Sequence, residues 1–316
     1  MQSLLQTQEW ADLKVSQGWQ SHEINGVFVL EKKLPLGKSF LYAPEVDFNK
    51  LQNIQNFLTK IQKISENSNS IFFRLEILDE FDEKFVEIIK QNGFIKAFEE
   101  LQPEWRQIID LSKTDEEILA QMKPKGRYNI KIAQRENLNV KKSENIDDFY
   151  EIFRKTAKRD GFSIRPKKYF ENLLKFLGKN VELLVARLPS QDSDICGQAE
   201  YQGKIIAAAI VTYYQDTASY LYGASSNEYR NLMAPYLLHW QAIRRAKEKG
   251  GKYYDLLAVA PAGASEKNAL RHKYSGITRF KEQFGGRKVH LVGSYDFIYK
   301  PGWYKIFRIV EKLRRK

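Results

Sequence analysis

The sequence predicts an α/β protein of two domains, and three observations lead to that prediction. The chain has 316 residues, and at roughly 150 residues per domain this length favours two domains. Its apolar residues follow the helical period in some segments and the two-residue alternation of strands in others. Both halves of the chain contain helix pairs followed by strands, which favours a duplicated architecture.

The first domain is predicted over residues 1–110, with two helices and several strands. An apolar face indicates a helix over 49–64, and the pattern of 71–77 is that of a strand. A second helix is expected over 80–91, where an Asn-Gly pair ends it, and another strand over 104–111. The apolar face of the first helix consists of Leu51, Ile54, Phe57, Leu58, Ile61 and Ile64.

The second domain is predicted over residues 111–295, and the C-terminal residues 296–316 are expected to complete the first. The second domain begins with Thr114, which forms a capping-box pattern with Glu117 three residues later. Its other predicted helices span 146–159, 167–177 and 234–249, and its strands span 181–188, 204–214, 217–223, 253–259 and 288–294.

Composition excludes several classes of protein. With 43% hydrophobic residues the chain is not disordered, and no apolar run reaches the roughly 18–20 residues of a membrane-spanning helix. The first residues lack the basic and apolar regions of a secretory signal. The single cysteine, Cys196, excludes an internal disulfide framework, is interpreted as a small buried residue, and fits a reducing cytoplasm. The four histidines lack the spacing of metal ligands, so no metal site is expected.

Positive charge is concentrated in one internal segment and at the C-terminus. The formal net charge is +12, and residues 123–168 contain fourteen Lys or Arg against six Asp or Glu. Such a surplus, interleaved with aromatic residues, is typical of a surface that binds polyanions. The alternative is a solvated helix face, which charge runs often form. The densest part, 123–131, is the candidate contact for a polyanion.

The segment that follows Pro301 is predicted to form a basic amphipathic helix. Its apolar face could dock on its own domain or lie on an anionic membrane surface, and docking is the expected arrangement. The predicted apolar face consists of Trp303, Ile306, Phe307, Val310 and Leu313.

The sequence contains no motif for triad hydrolysis, zinc chemistry, a P-loop or dinucleotide binding. The most informative stretch is 220–255, where a strand, a Tyr-Arg turn and a helix resemble the central motif of GNAT-type acyltransferases. In those enzymes, glycines after the arginine let the backbone approach the pyrophosphate of coenzyme A. Here Asn231, Leu232 and Met233 occupy these positions, so we expect an acyl donor other than coenzyme A.

Several longer motifs occur in order along nearly the whole chain. They lie at 8–14, 123–132, 158–161, 165–170, 222–225, 234–240, 254–256 and 280–286. This ordered set resembles the FemABX peptidyltransferases, which build the cross-bridge of peptidoglycan. The resemblance implies two tandem GNAT-like acyltransferase domains with a cleft between them, without the charged helical arm that some members carry. One departure is Leu257, which follows Tyr-Asp-Leu where the family usually has glycine.

The resemblance implies transfer of an aminoacyl group from aminoacyl-tRNA to an amine on the stem peptide of a peptidoglycan precursor, with no cofactor. The acceptor would be lipid II or its soluble UDP-linked form. The enzyme would work in the cytoplasm, with peripheral contact to the inner membrane leaflet as an option. The tRNA would be the polyanion that the basic segment attracts, through Lys123, Lys125, Arg127 and Lys131.

The resemblance also implies roles for five residues. Lys14 and Arg165 are similar to cations that contact the phosphates of the precursor. Tyr236 is similar to a tyrosine that lines the precursor site. Lys281 would stabilise negative charge on the tetrahedral intermediate, and Glu76 would be the general base for the acceptor amine. The structural alternatives are an exposed helix for Lys14, a buried helix for Tyr236 and a strand edge or loop for Lys281.

Two other functions remain open at this point. One is an N-acyltransferase that uses coenzyme A or a carrier-protein thioester, with a small amine or an exopolysaccharide unit as acceptor. The other is a degenerate transferase that binds tRNA or cell-wall precursor without turnover.

Overall fold

The computed structural model describes residues 2–189, 203–262 and 272–314 of the chain. The chain divides into two units, the first comprising Met1–Glu104 with Val289–Lys316 and the second comprising Trp105–Lys288. The division falls a few residues before the predicted boundaries at 110 and 295. Hydrogen bonding explains the difference, because the strand after Glu104 pairs within the second unit and the strand after Lys288 pairs within the first.

The first unit is a mixed sheet with helices packed on it. The strand order is β1-β2-β3-β4-β12, with β5 also paired to β12, and only β3 and β4 are parallel. The strands are β1 (Gln20–Ile24), β2 (Val27–Leu34), β3 (Lys38–Val46), β4 (Ser70–Glu80), β5 (Ile95–Lys96) and β12 (Arg287–Ile298). The helices are α1 (Gln8–Val15), α2 (Ile54–Ser68), α3 (Glu83–Gln91) and α10 (Pro301–Arg314).

Helix α2 covers one face of this sheet, and its apolar residues form a core with β4. Phe57 and Ile61 are buried in the same cluster as Phe73 and Leu75. The helix starts later than the predicted 49–64, because a short 3-10 helix occupies Phe48–Leu51. Asn53 then caps α2, which begins at Ile54.

In the second unit, the described residues form six strands of a sheet in the order β6-β11-β10-β9-β8-β7, and among these β10 and β11 are the one parallel pair. The strands are β6 (Trp105–Asp110), β7 (Asn139–Ser143), β8 (Val181–Arg187), β9 (Ile205–Tyr214), β10 (Thr217–Ser225) and β11 (Tyr253–Ala258). The helices are α4 (Asp115–Gln121), α5 (Pro124–Arg135), α6 (Ile146–Asp160), α7 (Lys167–Leu177), α8 (Ala234–Glu248) and α9 (Ser275–Lys281).

The α/β fold class is confirmed, and local signals placed many of the elements. The capping box of α4 is present, with Thr114 and Glu117 each bonded to the other's backbone N–H. The prediction missed α5 and α9, because the basic composition of one and the short length of the other hide their periodicity. The longest described helices, α2, α6 and α8, have 15 residues each, so no described helix resembles a long charged arm. Cys196 lies outside the described residues.

The C-terminal helix α10 packs on the first unit through a smaller face than predicted. Tyr304 is buried, and Trp303 and Phe307 pack with it against Ile71 and Phe72 of β4. Three other residues of the predicted docking face are exposed instead, so that part of the prediction is wrong; they are Ile306, Val310 and Leu313. Among the described residues, no helix has both the length and the apolar character needed to cross a membrane.

Candidate functional site

The sheet of the second unit opens between its two parallel strands. β10 and β11 pair over three residues only, ending at Ser219 and Asp255. β10 then continues to Ser225 along β9, whereas β11 continues to Ala258 along β6. Both of these ladders carry a register shift just past this point, and such bulges bend strands. The two strands therefore stop bonding to each other and leave a gap within the sheet.

Lys281 lies beside the end of β11. Its side chain is 5% exposed, and Nζ donates a 2.8 Å hydrogen bond to the carbonyl oxygen of Ala258. An ammonium has three donors, and the described residues offer Nζ no second hydrogen-bond acceptor. Burial lowers the pKa of Lys281 to about 8, and the carboxylate of Asp255 opposes this shift. Lys281 is thus a buried cation in a helix, not the strand-edge or loop lysine of the structural alternative.

A buried ion pair shapes the backbone next to Lys281. Arg106 Nη1 lies 3.0 Å from Asp255 Oδ2, and Asp255 Oδ1 accepts a 2.7 Å hydrogen bond from the backbone N–H of Leu257. Leu257 has a φ of 57°, in the left-handed region that favours glycine. This is the position where the family resemblance predicts glycine. The turn that it forms leads directly to the carbonyl of Ala258, the acceptor for Lys281.

A buried histidine and two tyrosines also belong to the described cluster around Lys281. Nζ of Lys281 lies 5.9 Å from the ring centre of Tyr220, which packs edge-on against His239 at 4.4 Å. Burial, reinforced by the charge of Lys281, lowers the pKa of His239 to about 3. The imidazole is therefore neutral at pH 7, and its Nδ1 lies 3.1 Å from the hydroxyl of Tyr254. A neutral ring adds no second positive charge beside the ammonium.

Tyr236 belongs to the same cluster. Its hydroxyl donates a 3.0 Å hydrogen bond to Oε1 of Gln283, and its ring packs against Phe280 at 5.1 Å. Phe280 also contacts His239, which links Tyr236 to the neighbourhood of Lys281. Burial raises the pKa of Tyr236, whereas hydrogen bonding with nearby amide side chains opposes the rise. The structure therefore brings two of the predicted site residues, Tyr236 and Lys281, into one cluster.

Two glycines let the segment after Lys281 approach its neighbours closely. A Cβ on Gly126 in α5 would clash with the carbonyl oxygen of Gln283. Gly286 has a φ of 77°, and a Cβ there would clash with the carbonyl of Ile108 in β6. These positions belong to the 123–132 and 280–286 motifs, so part of the sequence pattern serves packing around the site.

Arg165 is linked by contacts with two tyrosines to β10, the strand on the other side of the gap from β11. The side chain is exposed, and its guanidinium lies 4.7 Å from the ring centre of Tyr169, within cation–π range. The hydroxyl of Tyr169 is hydrogen bonded to that of Tyr222 at 2.9 Å. Tyr222 lies in the part of β10 that has separated from β11, as does Tyr220. Arg165 is therefore connected to the strand that also faces Lys281.

In the first unit, Lys14 and Glu76 are joined by aromatic residues. Lys14 is buried, with Nζ 5.0 Å from the ring centre of Trp10 and 5.6 Å from that of Trp19. Trp19 contacts Tyr42 at 6.5 Å, and the hydroxyl of Tyr42 donates a hydrogen bond to Glu76. The exposed-helix alternative for Lys14 is therefore wrong.

Glu76 is surrounded by hydrogen-bond donors. It is 2% exposed and accepts bonds from the hydroxyls of Tyr42 and Ser294 and from the backbone N–H groups of Leu101 and Gln102. Burial raises its pKa to about 7, although these bonds oppose the rise. Three of the four bonds go to Oε1 and one goes to Oε2, so most of the acceptor sites of the carboxylate are used within the fold. This arrangement favours a structural part for Glu76, and its role as general base stays a prediction.

The basic segment divides into packed and exposed cations. Lys123 forms a 2.8 Å ion pair with Glu282, and Arg127 donates to carbonyl oxygens at the C-terminal end of α4. These two side chains have partners within the fold, and their part in polyanion binding stays a prediction. Lys125 and Lys131 lie exposed on α5.

Comparison with known proteins assigns the family. The sequence profile of the FemAB family matches residues 88–195 and 193–312. The chain belongs to the FemAB family. This FemAB-family protein is similar to the lipid II:glycine glycyltransferase of Staphylococcus epidermidis strain RP62A, with 23% identity over 98% of this chain and 91% of the relative.

Solved structures support the fold of this FemAB-family protein. A crystal structure of FemX superimposes with a TM-score of 0.81 at 22% identity, covering 96% of this chain and 94% of that one. A tandem GNAT protein from the clavulanic acid biosynthesis pathway gives a TM-score of 0.50 at 10% identity, over 85% and 78% of the two chains. The fold is thus that of two tandem GNAT-like units.

Sequence reasoning missed several residues of the cluster around Lys281. His239 lacks metal-ligand spacing in the sequence, but it stands one turn after Tyr236 in the same helix. Asp255 belongs to the 254–256 motif, which by itself implies no role for it. A polar residue in the middle of an apolar strand, as Asp255 is in β11, is the signal that identifies it.

Proposed function

We propose that this FemAB-family protein transfers an aminoacyl group from aminoacyl-tRNA to an amine on the stem peptide of a peptidoglycan precursor. The names of its curated relatives support lipid II as the acceptor class. The single observation that carries the proposal is the buried ammonium of Lys281 beside the gap between β10 and β11. A fixed cation in a buried site is suited to stabilise the oxyanion of acyl transfer.

The reaction requires little covalent chemistry from the protein. The neutral acceptor amine attacks the carbonyl carbon of the aminoacyl ester, a C–N bond forms and the carbonyl oxygen becomes negative. When this intermediate collapses, the C–O bond to the tRNA ribose breaks, and the ribose oxygen takes up the proton that the amine loses. Because the ester is already activated, positioning of the two substrates supplies much of the rate enhancement.

Lys281 is the proposed oxyanion partner. A pKa of about 8 keeps most of the side chain charged at pH 7, while burial removes the water that would screen this charge. One N–H of the ammonium donates to the carbonyl oxygen of Ala258, which fixes its orientation. The other two N–H groups have no acceptor among the described residues. Neutral His239 keeps the local charge at one.

Lys14 and Arg165 are the proposed contacts for the phosphates of the precursor. Each cation rests on aromatic rings, which limits the rotamers it explores before binding. Arginine adds the planar fork that binds phosphate oxygens in pairs. Tyr236 is the proposed polar wall of the acceptor site.

The tRNA donor is proposed to bind along the exposed face of α5. Lys125, Tyr128, Lys131 and Arg135 are all exposed and recur every three or four residues, so they share one face of the helix. Cations that contact phosphates and an aromatic ring on which a base can stack are the two elements of single-stranded nucleic-acid binding. Lys123 and Arg127, which have partners in the fold near the start of the same helix, stay predicted tRNA contacts. Since aminoacyl-tRNA is intracellular, we propose that the reaction occurs in the cytoplasm.

Incubation of the full-length protein with a pool of charged tRNA and with lipid II or its UDP-linked form tests the proposal. We expect mass spectrometry to show a precursor heavier by one or more aminoacyl residues, and no product when the tRNA is hydrolysed beforehand. Lys281→Met should abolish most of the product. Lys179→Met, which removes an exposed lysine after α7, is the matched control and should have no effect.

Two results would contradict the proposal. Acyl transfer from acetyl-coenzyme A to a small amine, with none from tRNA, would make the protein an N-acyltransferase of the thioester class. Binding of both tRNA and precursor without any product, across all amino acids, would make it a binding protein.

A further inference from the structure

The outer face of α10 is an uncovered apolar stripe. The inner face of this helix packs on the first unit through Trp303, Tyr304 and Phe307. The outer residues recur at spacings of three, four and seven positions, which places them on one side of the helix. They are Ile306, Ile309, Val310 and Leu313, with exposed fractions of 51%, 61%, 46% and 65%.

Basic side chains border this stripe. Lys305, Arg308 and Lys312 lie together on one flank, where they line a shared surface groove. Arg314 lies near the C-terminal end of the helix, paired with Glu311, the one acidic residue of the helix. The helix therefore combines an apolar outer face with a cationic border.

The tip of the β2–β3 hairpin exposes a further apolar side chain beside this helix. Leu36 is 77% exposed and stands between the two strands, at a φ of 59°. The same hairpin contacts the first turn of α10, because Nζ of Lys38 lies 5.0 Å from the ring centre of Trp303. Burial lowers the pKa of Lys300, and the positive charge of the nearby Lys38 lowers it further. The hairpin thus places one exposed leucine and further positive charge near the first turn of α10.

We propose that the α10 stripe, with Leu36, docks on an anionic lipid bilayer. Apolar side chains on one face of an interfacial helix enter the boundary of the acyl chains, and bordering Lys and Arg reach the lipid phosphates. A second copy of this chain is a poorer occupant, since it would bring the same cationic border against itself. A nucleic acid would satisfy the cations but would leave the apolar stripe in water.

Docking would hold the enzyme at the surface where a lipid-linked acceptor resides. This consequence rests on the proposed function, whereas bilayer binding itself does not. The two are separable by experiment, because vesicle binding is measured without any transfer reaction.

Co-flotation of the full-length protein with vesicles tests the proposal. We expect binding to vesicles of phosphatidylcholine mixed with phosphatidylglycerol, weak binding to phosphatidylcholine alone, and release by salt. The double variant Ile309→Gln/Leu313→Gln should lower the partition coefficient at least about tenfold, since it removes apolar surface that would enter the bilayer. Lys305→Glu/Lys312→Glu should lower it by a similar factor through lipid charge. Leu36→Gln should have a smaller effect, of about threefold.

Matched controls lie on α3 of the same unit. Ile88→Gln removes another exposed apolar residue, and Lys84→Glu/Lys90→Glu reverses two exposed lysines. Both should bind vesicles like the unaltered protein, and thermal unfolding of every variant should be similar. A soluble UDP-linked acceptor then reports whether the transfer site is intact in the α10 variants.

Three outcomes would overturn the proposal. The first is an unaltered protein that does not float with anionic vesicles. The second is a concentration-dependent dimer that Ile309→Gln/Leu313→Gln abolishes, which would make the stripe a contact between copies. The third is loss of tRNA binding in Lys305→Glu/Lys312→Glu with vesicle binding unchanged, which would assign the border to nucleic acid.

Discussion

Lys281 and Glu76 are both ionisable groups buried within their units, and their surroundings differ in one respect. Burial favours the neutral form of each group: it lowers the pKa of Lys281 to about 8 and raises the pKa of Glu76 to about 7. Glu76 receives hydrogen bonds from four donors, two of them backbone N–H groups. Lys281 has one hydrogen bond to the described residues, to the carbonyl of Ala258.

We propose that this difference separates a residue that stabilises the fold, Glu76, from one that acts on the substrate, Lys281. A buried polar group costs free energy unless it is hydrogen bonded, and Glu76 meets that requirement inside the fold. Within the described part of the chain Lys281 meets it only in part, and we propose that a ligand supplies the remaining interaction. The four predictions below test this comparison, from the largest expected effect to the smallest.

The first prediction concerns a variant that lacks the ammonium of Lys281. Lys281→Met should reduce kcat/KM for aminoacyl transfer by roughly 100- to 1000-fold, the typical loss on removal of one oxyanion donor. Circular dichroism and thermal unfolding should stay close to those of the unaltered protein, because the methionine fills a similar volume. A loss below threefold would place Lys281 with Glu76 among the structural groups.

The charge of Lys281 also gives a pH signature. Lys281→Arg keeps its charge to far higher pH, so the ratio of the rate of the unaltered enzyme to that of Lys281→Arg should fall as pH rises through about 8. The ratio is the quantity to measure, because the acceptor amine loses its own proton in the same way with both enzymes. A ratio that rises through pH 8 would instead make the neutral form of Lys281 the active one.

The second prediction concerns stability at Glu76. Its folded-state pKa of about 7 lies above the ordinary value of 4.5, so the folded protein binds the proton more tightly. The stabilising contribution is complete below about pH 4.5 and is lost as pH rises through 7. As pH rises from about 4.5 to 7, the unaltered protein should lose this stability and Glu76→Gln should not. The unfolding free energy of Glu76→Gln should therefore rise by on the order of 2–3 kcal/mol relative to that of the unaltered protein over this range.

Geometry makes Glu76→Gln a fair test. The amide oxygen can accept the bonds from Leu101, Gln102 and Ser294, and the amide N–H₂ can donate to the hydroxyl of Tyr42. Urea unfolding at several pH values measures the effect, with Glu76→Ala as the variant that loses all four bonds. The transfer rate of Glu76→Gln should stay within about threefold, whereas a general base would cost roughly 100-fold or more.

The third prediction extends the comparison to an exposed cation. Arg165→Ala should raise KM for the diphosphate-bearing acceptor about tenfold and leave kcat nearly unchanged, as expected for a charge-assisted binding contact. Arg154→Ala, on the exposed face of α6, is the control and should change neither constant. Equal effects of the two variants would reduce Arg165 to general surface charge.

The fourth prediction concerns the backbone that leads to the acceptor of Lys281. Leu257 holds a left-handed conformation that costs a leucine roughly 1–2 kcal/mol, partly offset by the greater chain entropy of glycine. Leu257→Gly should therefore raise the unfolding free energy by about 0.5–1 kcal/mol in chemical denaturation. Leu256→Gly, in the buried strand next to it, should instead destabilise the protein.

Much of the fold was predictable from local signals. The helices of 146–160 and 167–177 and the strands of 205–214 and 253–258 follow directly from apolar periodicity, caps and breakers. The ordered motifs predicted the FemAB family, which the family profile confirms. Helix α9 escaped prediction, although it carries Lys281, because seven residues are too few to show a helical period.

The sequence by itself determined the α/β class and most element positions, because these depend on neighbours within a few residues. It also determined the family, because the motifs occur in one order along the chain. Only the tertiary structure decided which ionisable residues are committed to the fold. The four donors to Glu76 come from positions 42, 101, 102 and 294, and the acceptor for Lys281 comes from position 258. Hydrogen bonds between such distant positions leave no periodic trace in a sequence, and burial gives them their strength.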